Sequence, residues 1–283
     1  MKKSIHLSVR VGVLRTLAGM SILSAALLGG RSAVRAEWKL TWSDEFNGRS
    51  VNTNHWKFET GNRNGWGNRE LEYYTGRPEN AYVRGGLLHI AARKEATNEF
   101  AYTSARMKSQ GLFSQKYGRF EVRARLPGGQ GYWPALWLMP EQSPYGRWPG
   151  CGEIDIMENK GKNPGLVAGT IHFANATNGT HRARDGSYTF PPGNGATNFH
   201  IYALEWRTNS IQWSVDGQLY ETQTEWSTAA APYPAPFDQP FYIIMNLAVG
   251  GNYGGNPDAT TVFPGELQVD YVRVYKEVKG PDR

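Results

Sequence analysis

Residues 152–159 constrain the fold more than any other part of the chain. Within six residues they hold three carboxylates: Glu153, Asp155 and Glu158. Bulky apolar side chains separate these acids, and such alternation is typical of a strand with one buried face. Because every second side chain of a strand points the same way, Glu153 and Asp155 share the open face, while Ile154 and Ile156 point into a core.

The third acid fits this face only if the strand is irregular. Glu158 lies an odd number of residues from Glu153, so strict alternation puts the two on opposite faces. A β-bulge near Ile156 and Met157 would return Glu158 to the acidic face. With the bulge counted, the two Cα atoms are about four strand steps, or about 13 Å, apart. Two glutamates leaning together would then bring their carboxyl groups to about 5–6 Å, close to the separation in glycosidases that retain the anomeric configuration.

Three interpretations of the acidic strand are open at this point. The first is a solvent-facing acidic edge, although three like charges on one face repel each other. The second is a calcium site, because hard cations bind clustered carboxylate oxygens. The third is a pair of catalytic carboxylates, closer together than an inverting glycosidase needs to fit its water.

Residues 152–159 resemble the active-site strand of glycoside hydrolase family 16 in its bulged, laminarinase-like form. The resemblance runs from Trp38 to about Tyr275 and includes an Asp-Glu-Phe turn at 44–46 and the segments 66–75 and 132–140. It implies a concanavalin A-like β-jelly roll, an all-β sandwich of two antiparallel sheets with an open substrate cleft. Many short segments of strand-like alternation between turn residues agree with a β-sandwich or barrel.

The resemblance also implies a role for each acid. Glu153 is the expected nucleophile, Glu158 the expected general acid and base, and Asp155 the residue that positions Glu153. No cofactor is expected to enter this chemistry. Neighbouring like charges push carboxyl pKa values apart, which would leave one group ionised and another protonated near neutral pH.

Seven further residues are expected to contact the sugar chain. They are Asn68, Arg106, Trp133, Trp137, Trp148, His172 and Asn246. Alternation groups Trp133, Ala135 and Trp137 on one strand face, where two indole rings would form the floor of a groove for a flat pyranose ring. Structural alternatives stay open for several of them: a turn for Asn68, an ion pair for Arg106, core packing for the tryptophans and a structural hydrogen bond for His172.

A structural calcium ion, away from the cleft, is a further implication of the resemblance. Its expected side-chain ligand is Asp270, and main-chain oxygens near Glu45 and Gly85 are expected to complete the site. The single cysteine, Cys151, excludes an intrachain disulfide. We interpret Cys151 as a small buried residue beside the acidic strand rather than as a reactive thiol.

The first 36 residues have the features of an export signal. Basic residues precede an apolar run at 17–28, and small residues lead to a cleavage motif at 34–36. We therefore expect a signal peptide over 1–36 and a catalytic domain over 37–283. The six basic residues of the leader account for the whole formal net charge of +6, so the remaining chain is formally neutral. Charge thus gives no indication of nucleic acid or a sulfated polymer as a partner.

Together these features predict a secreted, monomeric, endo-acting hydrolase of β-1,3-glucan that has no membrane attachment after processing. The main alternative is another family 16 specificity: a mixed-linkage 1,3-1,4-β-glucanase, an agarase, a carrageenase or a transglycosylase. A non-catalytic β-glucan-binding protein is a further alternative, but such relatives lack the acid pair that this chain keeps. At the periphery, the polar residues 174–198 are predicted to form a long loop, and residues 225–240 an irregular segment with one short helix.

Overall fold

The structure is a computed structural model and describes residues 37–278, so the expected signal peptide and the last five residues lie outside the described part. The described chain is almost entirely strand. Its elements are β1 (Glu37–Asp44), β2 (Lys57–Glu59), a 3₁₀ turn (Gly65–Gly67), β3 (Glu72–Tyr74), β4 (Ala81–Arg84), β5 (Leu87–Thr97), β6 (Phe100–Ser104), β7 (Arg106–Lys108), β8 (Gly118–Arg125), β9 (Tyr132–Pro140), β10 (Glu153–Glu158), β11 (Leu166–Ala174), β12 (His181–Thr189), β13 (His200–Arg207), β14 (Ser210–Val215), β15 (Gln218–Gln223), β16 (Phe241–Val249), α1 (Gly251–Gly254) and β17 (Gly265–Val278).

The strands form two sheets, one of ten strands and one of seven. The ten-stranded sheet has the order β15-β14-β13-β8-β17-β5-β6-β3, with β1 also paired to β17 and β4 to β5. The seven-stranded sheet has the order β12-β11-β10-β9-β16-β7-β2. Pairing is antiparallel except between β3 and β6, which run parallel. The predicted all-β sandwich of two sheets is therefore confirmed.

The core lies between the two sheets and follows the alternation of their strands. On β8, Phe120, Val122 and Ala124 are buried, whereas the charged side chains between them remain partly or fully exposed. On β10, Ile154 and Ile156 enter the same core from the opposite sheet. Full burial of an apolar side chain of this size contributes about 1.5–3 kcal/mol, which fixes the faces that the two sheets turn toward each other. The seven-stranded sheet consequently turns its polar face outward.

A β-bulge interrupts β10 between its second and third acids. Asp155 lies opposite Trp137 of β9, but the next paired residue of β10 is Met157, so one residue of β10 is extra. The pairing of β10 with β11 shifts at the same place. Ile156 and Met157 are both buried as a result, and Glu158 returns to the face of Glu153. The bulge predicted from the odd spacing of the two glutamates is confirmed.

The second sheet supports this bulge from below. Trp213 of β14 donates a hydrogen bond from Nε1 to the main-chain oxygen of Asp155, at 2.8 Å. A bulge disturbs the hydrogen-bond ladder of its strand, so a side-chain donor at this point satisfies a carbonyl group next to the disturbance. The Trp213 ring passes close to Gly169 of β11, where a Cβ atom would lie 2.4 Å from it. Glycine at 169 is therefore required for the indole to reach the bulge.

The structure differs from the sequence prediction at the periphery. Residues 174–198, predicted as a loop, contain β12, which pairs with β11 along its whole length. Because β12 is an edge strand with both faces largely exposed, it lacks the apolar alternation by which strands are recognised. Residues 225–240, all of them described, form turns and bends rather than a helix. Neither helical element within residues 37–278 is long and apolar enough to cross a membrane.

Candidate active site

A cleft of about 530 Å³ lies on the outward face of the seven-stranded sheet. All ten residues predicted for catalysis or substrate contact line it: Asn68, Arg106, Trp133, Trp137, Trp148, Glu153, Asp155, Glu158, His172 and Asn246. The strand order explains this convergence, because β11, β10, β9, β16 and β7 are consecutive neighbours and each contributes at least one of these side chains. Their roles in binding and catalysis stay predictions, but their common location does not depend on those roles.

Two tryptophans donate hydrogen bonds to the outer acids of β10. Trp148 Nε1 lies 2.7 Å from Glu153 Oε2, and Trp133 Nε1 lies 2.9 Å from Glu158 Oε1. A hydrogen bond to a carboxylate favours its charged form, so each indole lowers the pKa of its partner. Trp133 and Trp137 are only partly buried and lie outside the hydrophobic core, so core packing does not describe them.

A pair of histidines approaches the middle acid. His172 Nε2 lies 3.0 Å from Asp155 Oδ2, and His172 Nδ1 lies 2.8 Å from His181 Nε2. The Asp155 contact is an ion pair when His172 is protonated, and the direction of the hydrogen bond between the two imidazoles depends on their tautomers. The His181 ring also packs on Trp148, with 4.8 Å between the ring centroids. The imidazole pair thus connects the deepest acid of the cleft to its exposed rim.

Burial raises the pKa of all three acids. The pKa of Glu153 rises to about 8, first through burial and then through the charge of Asp155. The pKa of Glu158 rises to about 6, again mainly through burial. Burial and the charge of Glu158 raise the pKa of Asp155 well above its ordinary value. Such closely packed carboxyls lose their protons in coupled, successive steps, and the cluster retains a proton at neutral pH.

The same cluster was open to interpretation as a calcium site. Glu153, Asp155 and His172 each offer one ligand atom, and these atoms lie within 4.8 Å of one another. Calcium, however, prefers six to eight oxygen ligands. Here one ligand is an imidazole, and the indole N–H group of Trp148 already occupies an oxygen of Glu153. The donor set is therefore a poor match for calcium.

The floor of the cleft continues from β9 to β7. The guanidinium of Arg106 lies between two indole rings, 4.5 Å from the centroid of Trp66 and 4.7 Å from that of Trp137. Arg106 also donates from Nε to Glu59, at 2.6 Å, so the ion pair and the cleft position both hold for this residue. Trp137 Nε1 donates to Asn246 Oδ1, at 2.7 Å. Aromatic rings and fixed hydrogen-bonding groups therefore alternate along the floor.

Comparison with known proteins decides the family. The sequence pattern of "Glycosyl hydrolases family 16" matches residues 67–273. The chain belongs to this family. It is therefore a glycoside hydrolase by descent, in agreement with the resemblance seen in its sequence.

Three relatives in family 16 illustrate the degree of similarity. A β-glucanase from Rhodothermus marinus is 44% identical, over 94% of this chain and 95% of its own length. Glucan endo-1,3-β-glucosidase A1 from Niallia circulans is 45% identical over 86% of this chain, which spans only 38% of that longer protein. The solved structure of an endo-β-1,3-glucanase from Pyrococcus furiosus superposes with a TM-score of 0.77 at 45% identity, covering 86% of this chain and 96% of the other.

Several residues of this family 16 cleft were not predicted as site residues. They are Trp66, Gly67, Glu70, Ala135, Met139, His181, Asn252 and Tyr253. His181 was missed because β12 was predicted as a loop. Tyr253 stands on the single turn α1, where its ring lies 5.1 Å from that of Trp133. Gly250 and Gly251, directly after β16, were the sequence signal for a tight turn at this place.

The expected calcium ligands lie outside the cleft. Glu45 follows the residue of β1 that pairs with Val272, and Gly85 lies in the turn between β4 and β5, close to the residue that pairs with Val269. Strand pairing therefore brings both segments toward Asp270, which sits at an irregularity of β17. One carboxylate oxygen of Asp270 lies 2.5 Å from Arg123, so a cation would share this ligand with an arginine. The approach of these two main-chain segments to Asp270 agrees with the predicted calcium ligands. The ion pair with Arg123 argues against them, because it occupies a carboxylate oxygen of Asp270.

Cys151 has the features of a structural residue. Its side chain is buried at the start of the acidic strand. Burial, followed by the charge of Glu153, raises the pKa of the thiol to about 11. A thiol that stays protonated at neutral pH is a poor nucleophile, which agrees with the sequence interpretation.

Proposed function

We propose that this protein is a secreted, endo-acting hydrolase of β-1,3-glucan of the laminarin type that retains the anomeric configuration. The observation that carries the proposal is the bulge of β10, because it directs Glu153 and Glu158 to the same face of one strand. The substrate follows from the relatives, whose names describe endo-1,3-β-glucanases. An open cleft on the face of a sheet also suits internal cleavage of a long polymer.

The mechanism is a double displacement by two carboxyl groups. Glu153 attacks the anomeric carbon while Glu158 protonates the departing glycosidic oxygen, which gives a covalent glycosyl-enzyme. Glu158, now ionised, removes a proton from the water that displaces Glu153. The two inversions together leave the product in the β configuration.

The proton of the acid cluster must move before the reaction. In the free protein the pKa of Glu153, about 8, lies above that of Glu158, about 6. Catalysis needs the reverse occupancy, with Glu153 ionised and Glu158 protonated. Two features favour the charged form of Glu153, namely the positive charge available at His172 and the hydrogen bond from Trp148. Asp155 lies between the two glutamates, and its protonated form would donate to Glu153 and stabilise the nucleophile.

The stereochemistry of the first product tests this mechanism. We expect proton NMR in the first minutes of laminarin digestion to show β-anomeric reducing ends, with the α anomer appearing only by mutarotation. Initial release of the α anomer would mean an inverting enzyme and would remove Glu153 from the role of nucleophile. A parallel digestion with a known retaining glucanase controls for the rate of mutarotation.

A panel of polysaccharides tests the substrate. Reducing-sugar release should be faster from laminarin than from lichenan, agarose or carrageenan. Preference for lichenan would make the protein a mixed-linkage 1,3-1,4-β-glucanase, and preference for agarose or carrageenan would overturn the glucanase assignment. Binding of laminarin without release of sugar from any polymer would indicate a non-catalytic binding protein instead. Products longer than the substrate supplied would indicate transglycosylation.

Export, processing and calcium binding belong to the same proposal. Removal of residues 1–36 would give a mature protein that begins at Glu37, which the intact mass of the secreted protein would test. A structural calcium ion at Asp270, Glu45 and Gly85 would make the melting temperature fall on addition of EDTA. The Asp270→Asn variant should lose this dependence. A monomer is expected, and light scattering in solution checks it.

A further inference from the structure

A line of hydrogen bonds runs from the cleft floor into the protein. Trp137 Nε1 donates to Asn246 Oδ1 at 2.7 Å, and Asn246 Nδ2 donates to the Tyr74 hydroxyl at 3.1 Å. The Tyr74 hydroxyl in turn donates to Glu70 Oε2 at 3.0 Å. Every donor in this line points the same way, so the line has one terminal acceptor, the carboxylate of Glu70.

The same carboxylate reaches a second residue of the cleft. Its other oxygen, Oε1, lies 3.4 Å from Nδ2 of Asn68. Glu70 therefore connects to three of the predicted sugar contacts: directly to Asn68, and through Tyr74 to Asn246 and Trp137. Hydrogen bonds to an ionised acceptor are stronger than neutral ones, and bonds in series polarise one another.

Because its members are buried, this line of hydrogen bonds fixes the geometry of the cleft floor. Tyr74 is 0%, Asn246 5% and Glu70 6% exposed, so water does not readily replace a lost partner. An asparagine amide has two orientations with exchanged donor and acceptor. The Tyr74 hydroxyl donates its only proton to Glu70 and must accept from Asn246, so Glu70 and the donor-only indole of Trp137 together determine which way the amide faces. The amide oxygen then holds the indole of Trp137 by its N–H group.

The surrounding residues hold Glu70 in place. Glu72, two residues later on β3, accepts a hydrogen bond from the main-chain nitrogen of Val249 at 2.6 Å, which ties β3 to the end of β16. Asn62 donates to the main-chain oxygens of both Glu70 and Glu72, at 3.0 and 2.8 Å. Burial, followed by the charge of Glu70, raises the pKa of Glu72 well above its ordinary value.

We propose that Glu70 is a positioning residue for substrate binding, which orients Asn68 directly and Asn246 and Trp137 through Tyr74. It acts before the chemistry, by holding the cleft floor in its binding geometry, and not at the reacting atoms. The proposal rests on the proposed function as far as the substrate is concerned. The geometry of the relay is independent of that function.

Two substitutions separate the two branches. Tyr74→Phe removes the hydroxyl and leaves Glu70 with Asn68. Glu70→Gln keeps one acceptor oxygen, but its amide nitrogen must face either Asn68 or Tyr74, so one of the two contacts is lost. Tyr73→Phe is the matched control, because Tyr73 is the next residue of β3, packs against Phe100 and takes no part in the line.

The kinetic readout distinguishes positioning from catalysis. Loss of one buried hydrogen bond at a binding surface corresponds to about a tenfold weaker interaction. We expect Tyr74→Phe and Glu70→Gln to raise the KM for laminarin about tenfold with kcat changed less than about twofold, the pattern of lost uniform binding. Tyr73→Phe should have wild-type kinetics. Equal falls in kcat and kcat/KM would instead place Glu70 in the chemical step and overturn the proposal.

A second readout does not need activity. The indole N–H signal of Trp137, assigned in a ¹⁵N-tryptophan sample by its loss in Trp137→Phe, reports its hydrogen bond to Asn246. Tyr74→Phe should move this signal upfield and speed its exchange with water, and Glu70→Gln should do the same when its amide nitrogen faces Tyr74, whereas Tyr73→Phe should not. An unchanged signal in both variants, even with a lower melting temperature, would reduce Glu70 to a structural residue. Absence of laminarin hydrolysis by the wild type, with the signal shifting as expected, would instead contradict only the proposed function.

Discussion

The cleft has two arms that are held together by different forces. We call the side formed by β9, β16, β7 and residues 66–70 the inner arm, and the side formed by β11, β12 and Trp148 the edge arm. In the inner arm, buried hydrogen bonds end on the carboxylates of Glu70 and Glu59. In the edge arm, two imidazoles and an indole stack at the surface, and Trp148 is 48% exposed. The catalytic strand β10 lies between the two arms.

This difference in burial implies a difference in rigidity. Ionised acceptors that are shielded from water hold the inner arm in one geometry. The edge arm depends on ring contacts and on one hydrogen bond between His172 and His181. Burial and the charge of His172 lower the pKa of His181, which keeps that ring neutral over more of the physiological range. We therefore expect the inner arm to set affinity, and each arm to act on the acid that its own tryptophan contacts.

The largest effect should come from the strand between the arms. Glu158→Gln should reduce activity on laminarin by about 10²–10⁴-fold or more, the contribution of a general acid and base. Activity on an aryl glucoside with a good leaving group should fall much less, because that departure needs little protonation. Equal losses on both substrates, measured side by side, would exclude Glu158 from proton transfer to the leaving group.

A smaller effect is expected at the rim of the edge arm. His181→Ala removes the ring that hydrogen-bonds His172 at Nδ1 and holds its Nε2 beside Asp155. We expect kcat/KM to fall about tenfold, the effect of losing about one hydrogen bond's worth of transition-state stabilisation. Arg182→Ala, at the next residue of the same exposed strand, is the control and should remain near wild type. If the two variants lose activity equally, the edge arm depends on the integrity of β12 rather than on the imidazole.

The two arms also differ in how well the sequence predicts them. The inner arm and β10 carry alternating apolar residues because their strands cover the core, so the faces of Trp133, Trp137, Glu153 and Asp155 could be assigned from spacing. Spacing alone puts Glu158 on the opposite face, and the bulge was predicted only because catalysis needs both glutamates on one face. β12 covers no core, and its polar sequence gives no period to detect. His181 was therefore invisible until the strand pairing was known.

Side-chain hydrogen bonds between distant strands were equally out of reach. Trp133 and Trp148 were predicted to face sugar, and nothing in their spacing shows that their N–H groups bind Glu158 and Glu153. The role of Trp213 beneath the bulge also depends on the stacking of two sheets, which alternation within one strand does not encode. The sequence thus predicts which face of a strand a side chain occupies. Its hydrogen-bond partners on other sheets and loops can be assigned only from the three-dimensional structure.

The pH dependence of activity provides the baseline for a last comparison of the arms. The acid pair is active with one proton between its members, so kcat/KM should follow a bell-shaped profile. The pKa of Glu158, about 6, sets the acid limb, below which both groups are protonated. The pKa of Glu153, about 8, sets the alkaline limb, above which both are ionised. Activity on laminarin should accordingly be highest between these two values.

The smallest expected effect is a shift of one limb of this pH profile, and each arm should shift a different limb. Trp133 lies on the inner arm and lowers the pKa of Glu158, so Trp133→Phe should shift the acid limb to higher pH. Trp148 lies on the edge arm and lowers the pKa of Glu153, so Trp148→Phe should shift the alkaline limb to higher pH. Each shift should be about 0.5–1 pH unit, because the loss of one hydrogen bond of about 1 kcal/mol corresponds to somewhat less than one pKa unit.

Phenylalanine keeps an aromatic face in both variants, so a shift of the limb reports the lost N–H group rather than the lost ring. If both variants move the same limb, the two carboxyls do not titrate separately under the control of their own arms, and the division of the cleft into two arms fails.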